Sequence, residues 1–227
     1  MSVVQTKNLT KIYRSNGIET PALKEVTLSV EPGEFTALAG PSGSGKSTLL
    51  HLIGGLLLPT SGEIWIEDQR INDLNPDQLA ELRLNRIGFV FQAYNLIPVL
   101  TARENTEFVM ELQGIAESER KQRSLDVLDT LEMEDYANRM PNKLSGGQQQ
   151  RVAVARAVAA QPALVLADEP TANLDSKNSE ILMDLMRKLN QDRDTTFLFA
   201  THDPQILERV DRAIELHDGE ISSDTKK

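Results

Sequence analysis

Gly40-Pro41-Ser42-Gly43-Ser44-Gly45-Lys46-Ser47 has the form G-x-x-x-x-G-K-[ST], a spacing that lets a chain wrap its own backbone around an anion. Glycine has no Cβ, so successive N–H groups can curl toward one point. The helix expected to start after the loop adds the positive end of its dipole. Lys46 is placed to reach the outer phosphates of a nucleotide and the Ser47 hydroxyl to hold Mg²⁺. Gly40 to Ser47, with the adjoining Thr48, are therefore the expected phosphate-binding residues. A second glycine pair stands far downstream, in Leu144-Ser145-Gly146-Gly147-Gln148. It precedes the small-residue run Val152-Ala153-Val154-Ala155-Arg156-Ala157 and reads as another anion-binding helix N-terminus. Two such ends on one chain are odd for a simple nucleotide kinase. They make sense if the second end serves the nucleotide of another subunit.

Acid–base and metal chemistry has its own candidates. Ala163 to Ala167 is a continuous apolar run, as in a parallel strand covered on both faces, and it ends in Asp168-Glu169. Asp168 is positioned to hold Mg²⁺ through the ion's water shell, and Glu169 to orient or deprotonate a water attacking a γ-phosphate. His202 follows another buried run, Thr195 to Ala200. Open α/β sheets bind ligands at the C-terminal ends of their strands, so His202 is expected to contact the γ-phosphate. Gln92 stands at the end of the run Ile87-Gly88-Phe89-Val90-Phe91. Tyr13 closes the first strand; its ring could stack on an adenine or be an ordinary half-buried strand tyrosine.

Positioning these groups takes alternating strands and helices. Val3 to Tyr13 and Ala22 to Val30 read as strands joined through a turn at Ser15-Asn16-Gly17. Phe35 to Ala39 is the strand entering the glycine-rich loop, and Thr48 to Ile53 the helix leaving it. Glu63 to Ile66 is a strand, and Asn75-Pro76-Asp77 opens a helix reaching about Asn85. From Ala93 to about Met140 the pattern is helical, with Thr101-Ala102-Arg103-Glu104 a capping box and Glu117 to Leu131 a further helix. Asp175-Ser176 starts a helix whose apolar face runs through Asn178 to Asn190. Ala213 to Leu216 is the last strand expected, and Ser222 to Lys227 is expected to fray.

Composition sets the outer bounds. The 227 residues suit one domain with a subdomain, long enough to bury a large core. The net charge of −10, from 24 basic and 34 acidic residues, disfavours nucleic acid or anionic lipid as the main partner. With no cysteine, disulfides and thiolate metal sites are impossible. Met1 to Thr10 has no signal-peptide core, and the most apolar stretch, Leu49 to Leu58, is too short to span a bilayer. Any membrane role must come through a partner.

In order and spacing, these motifs resemble the ATP-binding subunit of an ABC transporter over essentially the whole chain. The resemblance assigns the P-loop to Gly40–Ser47, the glutamine loop to Gln92, the signature to Leu144–Gln148, the second Walker motif to Asp168-Glu169, the loop aspartate to Asp175 and the switch histidine to His202. It implies an α/β P-loop NTPase fold, with a mostly parallel sheet, an antiparallel β subdomain and a helical subdomain inserted at about 93–160, the whole of 1–227 forming one ATP-binding domain. It implies ATP and Mg²⁺ as ligands, with Ser47, Gln92 and Asp168 around the metal ion. It also implies a head-to-tail sandwich of two copies, in which ATP lies between the P-loop of one and Ser145, Gly146, Gly147 and Gln148 of the other, with Asp175 nearby. Both catalytic candidates, Glu169 and His202, are intact, so the subunit is expected to hydrolyse ATP.

Within the family, Leu50–Leu56, Ser145–Arg151 and Leu166–Asp175 look like the lipoprotein-releasing and macrolide-efflux branch. Ala172-Asn173 departs from the Gly-Asn or Gly-Ala that many of its members carry. The apolar segment Tyr94, Leu96, Ile97, Pro98, Val99 and Leu100 is the expected docking site for an integral membrane subunit, next to Gln92. That would hold the protein peripherally on the cytoplasmic face of the inner membrane. Two other classes stand beside this one: an ATPase regulating a cell-division or other envelope complex, and a non-transport ABC ATPase of DNA repair or translation. The absence of a long coiled-coil interval or a second cassette, and the acidic balance, speak against the last.

Overall fold

Strand-length runs with inward alternation, broken by glycine-rich turns, build the first part of the molecule. The computed structural model describes residues 1–15 and 17–227; Asn16, the middle residue of the expected Ser15-Asn16-Gly17 turn, lies outside the described residues. The chain divides into two compact units, residues 1–83 with 196–227 and residues 84–195. Elements are numbered in chain order through both.

In the first unit, β1 (Val4–Ser15), β2 (Ile18–Val30), β4 (Ser61–Ile66) and β5 (Gln69–Arg70) form an antiparallel sheet in the order β2-β1-β4-β5. Val4, Leu9, Val26, Leu28, Val30, Ile64 and Ile66 turn to its buried side. A second set of strands runs in the order β10-β9-β3-β8, where β3 is Phe35–Ala39, β8 Phe197–Thr201, β9 Arg212–His217 and β10 Glu220–Lys226. β3 lies parallel to both β8 and β9. Every residue of β3 and β8 is buried, as strands covered on both faces require. The Phe35 ring meets Phe197 edge-on at 5.5 Å and Phe199 at 5.0 Å. Helix α1 (Lys46–Ile53) follows β3, α2 (Pro76–Arg86) is capped by a reciprocal pair of bonds between Asn75 and Gln78, and the short α7 (Pro204–Leu207) follows β8.

Ser222–Lys227 does not fray. It forms most of β10, paired antiparallel with β9. Asp218 (φ 49°) and Gly219 (φ 83°) are both left-handed, the backbone of a tight two-residue hairpin turn. Side chains then lock the pair. Buried Arg212 donates to both Asp224 oxygens at 2.7 and 2.6 Å, to Glu34 Oε2 at 3.0 Å and to the Ser29 carbonyl at 2.7 Å; Lys226 Nζ donates to Glu34 Oε1 at 2.6 Å. Burial alone would raise the Glu34 carboxyl, but the bonds and charges of Lys226 and Arg212 outweigh it and hold it below the usual carboxylate range. The Arg212 hydrogen bond does the same for Asp224. A strand this polar carries no hydrophobic alternation, so its ion pairs must be seen to be counted.

In the second unit, β6 (Ile87–Val90) pairs parallel with β7 (Leu164–Asp168). Around them stand α3 (Ala102–Leu112), α4 (Glu117–Thr130), α5 (Gly146–Ala159) and α6 (Ser176–Arg193). Val152, Ala153, Val154 and Ala155 of α5 are fully buried, and small residues let neighbours come close: a Cβ on Gly88 of β6 would stand 2.5 Å from the Ala157 carbonyl oxygen. The helical pattern expected from Ala93 begins only at Ala102. Residues 91–101 are turns and extended chain, because Tyr94 (φ 58°) and Asn95 (φ 50°) are left-handed and a right-handed helix cannot pass through them. The expected Thr101–Glu104 capping box is present at the start of α3.

Candidate functional site

The glycine-rich loop of the first unit is shaped by backbone approach. Gly40 (φ 141°) lies so close to β9 that a Cβ would stand 2.2 Å from the Leu216 carbonyl oxygen; one on Gly45 (φ 107°) would stand 2.6 Å from that of Ala22. No side chain could occupy either place. Lys46 is only 5% exposed and folds back into the loop, donating to the carbonyls of Gly40 at 2.7 Å and Pro41 at 3.0 Å. A buried ammonium needs acceptors, and an anion entering the loop would supply better ones. Ser44 Oγ is buried with no hydrogen-bonding partner. The N-terminus of α1 is preceded by Gly45, and no side chain caps it. An orphaned hydroxyl, a closeted cation and an uncapped helix end together fit a phosphate group and its metal ion.

Tyr13 and His202 belong to the same unit. The Tyr13 hydroxyl lies 3.5 Å from Thr48 Oγ1, and Lys11 Nζ stands 5.3 Å from the ring centroid. The ring is 41% exposed, so it is open to stacking rather than packed away. His202 is exposed and directly follows Thr201, which is opposite Ala39 in the parallel β3–β8 pair. Gly40 and His202 thus leave adjacent strands at the same end.

In the second unit, Gln92, Asp168 and Glu169 stand at the C-terminal ends of β6 and β7, where Val90 is opposite Ala167. Asp168 ends β7, and Glu169 turns the chain with a left-handed backbone at φ 49°. Such a conformation in a side-chain-bearing residue is uncommon and fixes the direction in which the carboxyl leaves the strand. Gln92 is exposed two residues beyond β6, and its carbonyl accepts from Asn173 Nδ2 at 2.8 Å.

Ser145 caps α5: its Oγ accepts from Gln148 N at 3.3 Å, and Gln148 Oε1 accepts from Ser145 N at 2.9 Å. Asp175 caps α6 in turn. Its carboxylate takes the Asn178 N–H at 2.9 Å and the Asn178 side-chain amide at 2.7 Å, and these bonds, the backbone one foremost, hold its carboxyl below the usual range. The two caps adjoin, since a Cβ on Gly147 would lie 3.1 Å from Asn178 Oδ1. The structure therefore brings Ser145, Gly146, Gly147 and Gln148 together with Asp175.

Three residues go beyond the sequence reading. Arg156 donates to the carbonyls of Asn95 at 2.5 Å and Tyr94 at 3.0 Å, and its burial pulls the guanidinium below the usual arginine range. The Tyr94 hydroxyl comes back against α5, where a Cβ on Gly146 would meet it at 2.9 Å. Asn173 and Asn178 are the others. The only advance signal was a cation set among alanines and valines in α5. The cap by Gln148, in contrast, was open to reading as S-x-x-Q.

Comparison with known proteins matches residues 23–172 to the family model described as ABC transporter. The chain is 47% identical over 228 residues to MJ0796 of Methanocaldococcus jannaschii, described as an uncharacterized ABC transporter ATP-binding protein, covering 99% of this chain and 97% of that one. It is 46% identical over 201 residues to the ABC transporter ATP-binding protein YtrE of Bacillus subtilis, covering 88% and 87%. Among solved structures, a dimeric post-hydrolysis state of MJ0796 bound to ADP and Pi superposes with a TM-score of 0.89 at 47% identity over 98% of each chain.

Proposed function

The chain belongs to the ABC transporter family as an ATP-binding, ATP-hydrolysing subunit, and from that premise we propose that it works as one half of a head-to-tail pair powering export, envelope lipoprotein release or efflux through a membrane partner. The observation that carries this reading is the pair of glycine-flanked helix N-termini, α1 in the first unit and α5 in the second. One nucleotide needs only one such end from its own subunit, so the other is left for the nucleotide of a second copy.

In the first unit, Lys46 and the backbone N–H groups of Gly40–Thr48, Pro41 having none, bind the phosphates of the substrate ATP, Ser47 would hold Mg²⁺, Tyr13 stacks on the adenine and His202 contacts the γ-phosphate. In the second unit, Asp168, through the ion's water shell, and Gln92 would hold Mg²⁺, and Glu169 takes a proton from the attacking water. Mg²⁺ supplies charge neutralisation on the transferring phosphate. Ser145, Gly146, Gly147, Gln148 and Asp175 face the nucleotide of the other copy. Among the described residues no helix is long and apolar enough to cross a membrane. We assign attachment to the cytoplasmic face of the inner membrane through a partner docked along Gln92–Leu100, where Val99 is 74% exposed. Within the family, the motif stretches around the P-loop helix, the signature and Asp168 favour the lipoprotein-release and efflux branch.

Light scattering of Glu169→Gln with Mg·ATP tests the central claim. Binding survives, turnover falls on the order of 10²–10⁴ as for a lost general base, and the protein runs as a dimer. A variant that stays monomeric with ATP bound, or turns over near the wild-type rate, refutes it.

A further inference from the structure

The hairpin that closes the chain reaches back to the phosphate loop. Gly219, at the β9–β10 turn, donates its N–H to the Ser44 carbonyl at 3.1 Å and accepts at its own carbonyl from Lys24 N at 2.8 Å. It thereby bridges the phosphate loop to β2. Both its left-handed φ and its surroundings require glycine: a Cβ would lie 2.8 Å from the Ala22 carbonyl oxygen and 3.1 Å from Leu23 Cα, both backbone atoms that cannot swing aside. Two residues before the turn begins, the Leu216 carbonyl backs Gly40. The hairpin and β2 thus press on the loop at Gly40 and Gly45, which have no room for side chains, and at the Ser44 carbonyl between them.

We propose that the Asp218-Gly219 turn is a positioning element for the phosphate loop, acting through the plane of the Ser44–Gly45 peptide. The Ser44 C=O and the Gly45 N–H belong to one planar trans unit and point in opposite directions. Fixing the carbonyl on Gly219 aims the Gly45 N–H away from the hairpin. That N–H belongs to the glycine immediately before α1, where a phosphate is gripped by backbone amides. If the carbonyl lost its partner the peptide could rotate, and the loop would present an oxygen to an anion in place of a hydrogen. The ion pairs of Arg212 with Asp224 and of Lys226 with Glu34 keep β10 in register and so keep the turn in place. The loop's chemistry therefore depends on a segment more than 170 residues downstream, which touches no phosphate itself.

This rests on the reading of Gly40–Thr48 as a phosphate site, and the test separates the two. Binding of Mg·ADP is measured by isothermal titration calorimetry, with thermal midpoints taken without nucleotide, for wild type, Gly219→Ala and Gly114→Ala. Gly114 is equally left-handed (φ 76°) but has open space around it and lies in the α3–α4 connection. It controls for backbone strain alone. Gly219→Ala is expected to bind roughly 5–10-fold more weakly, as for loss of one neutral hydrogen bond's orientation, with affinity unchanged in Gly114→Ala at a comparable drop in midpoint. Equal affinities in both variants, or equal losses in both, overturn the inference. Failure of the wild type to bind overturns the phosphate-site reading itself and this inference with it. Should Gly219→Ala not fold, Asp224→Asn loosens β10 without altering the turn's backbone and is expected to weaken binding roughly two- to threefold; unchanged affinity there overturns the inference.

Discussion

The two helix N-termini that flank glycines, α1 and α5, look alike in sequence and are finished differently. That of α1 has a left-handed glycine before it, no side-chain cap and a buried lysine folded into the loop. That of α5 is closed on itself, with Ser145 and Gln148 satisfying each other's backbone N–H groups. An uncapped helix end carries a standing cost in unmade hydrogen bonds, which a resident phosphate removes. A capped end is content without a ligand. The difference teaches that the first terminus leaves its backbone N–H groups open to an anion while the second satisfies its own, which is what the proposed division between a subunit's own nucleotide and that of a second copy requires.

Lys46→Ala puts the first terminus to its hardest test. A charge-assisted bond contributes about 1.5–3 kcal/mol, so Mg·ADP affinity measured by calorimetry on the isolated subunit is expected to fall roughly 10–100-fold. Unaltered affinity would erase the contrast, since nothing would then distinguish the uncapped end. Ser145→Ala should act the other way round. Affinity of the isolated subunit for Mg·ADP stays as it was, while steady-state phosphate release drops about tenfold. Loss of the cap lowers stability by about 1 kcal/mol, read from a denaturant melt. Equal losses of affinity and turnover would mean that α5 serves its own subunit's nucleotide.

The smallest effect is one of pH, read at the ion pairs of the first unit. Glu34 and Asp224 of the first unit are held below the usual carboxylate range by Arg212 and Lys226, so their stabilisation is complete above about pH 4–5 and lost as pH falls through their lowered values. A thermal midpoint followed from pH 7 to pH 3 should decline on the acid side, and Asp224→Asn should flatten part of that decline. An identical slope in the variant would show that the latch carries no acid sensitivity.

The glycine-rich loop, the strand–loop–helix around it and the apolar runs of β3, β7 and β8 were legible because each follows from one local rule: glycine where a backbone must curl, continuous apolar residues where both faces are covered. β10 was not, because its pairing rests on Arg212, Asp224, Glu34 and Lys226 meeting across chain separations that no local window spans. Its turn did leave a trace, since Asp218-Gly219 is a hairpin dipeptide. The segment after β6 misled for a related reason. Its apolar residues suit a helix, but the Tyr94 and Asn95 carbonyls are captured by Arg156 from a distant part of the sequence. The apolar runs before Asp168, Glu169 and His202 showed which strands they follow or close; the left-handed turn at Glu169 left no mark in the sequence.

That arginine gives the second unit a mechanical property. The Tyr94–Asn95 backbone is tied to the middle of α5, and the Tyr94 hydroxyl rests against Gly146 at the helix's first turn. The loop that carries exposed Val99 and the helix that starts at Ser145 are therefore joined by side-chain contacts at two places. Whatever displaces the Tyr94–Asn95 backbone therefore acts on the same helix whose first turn holds the Ser145 cap.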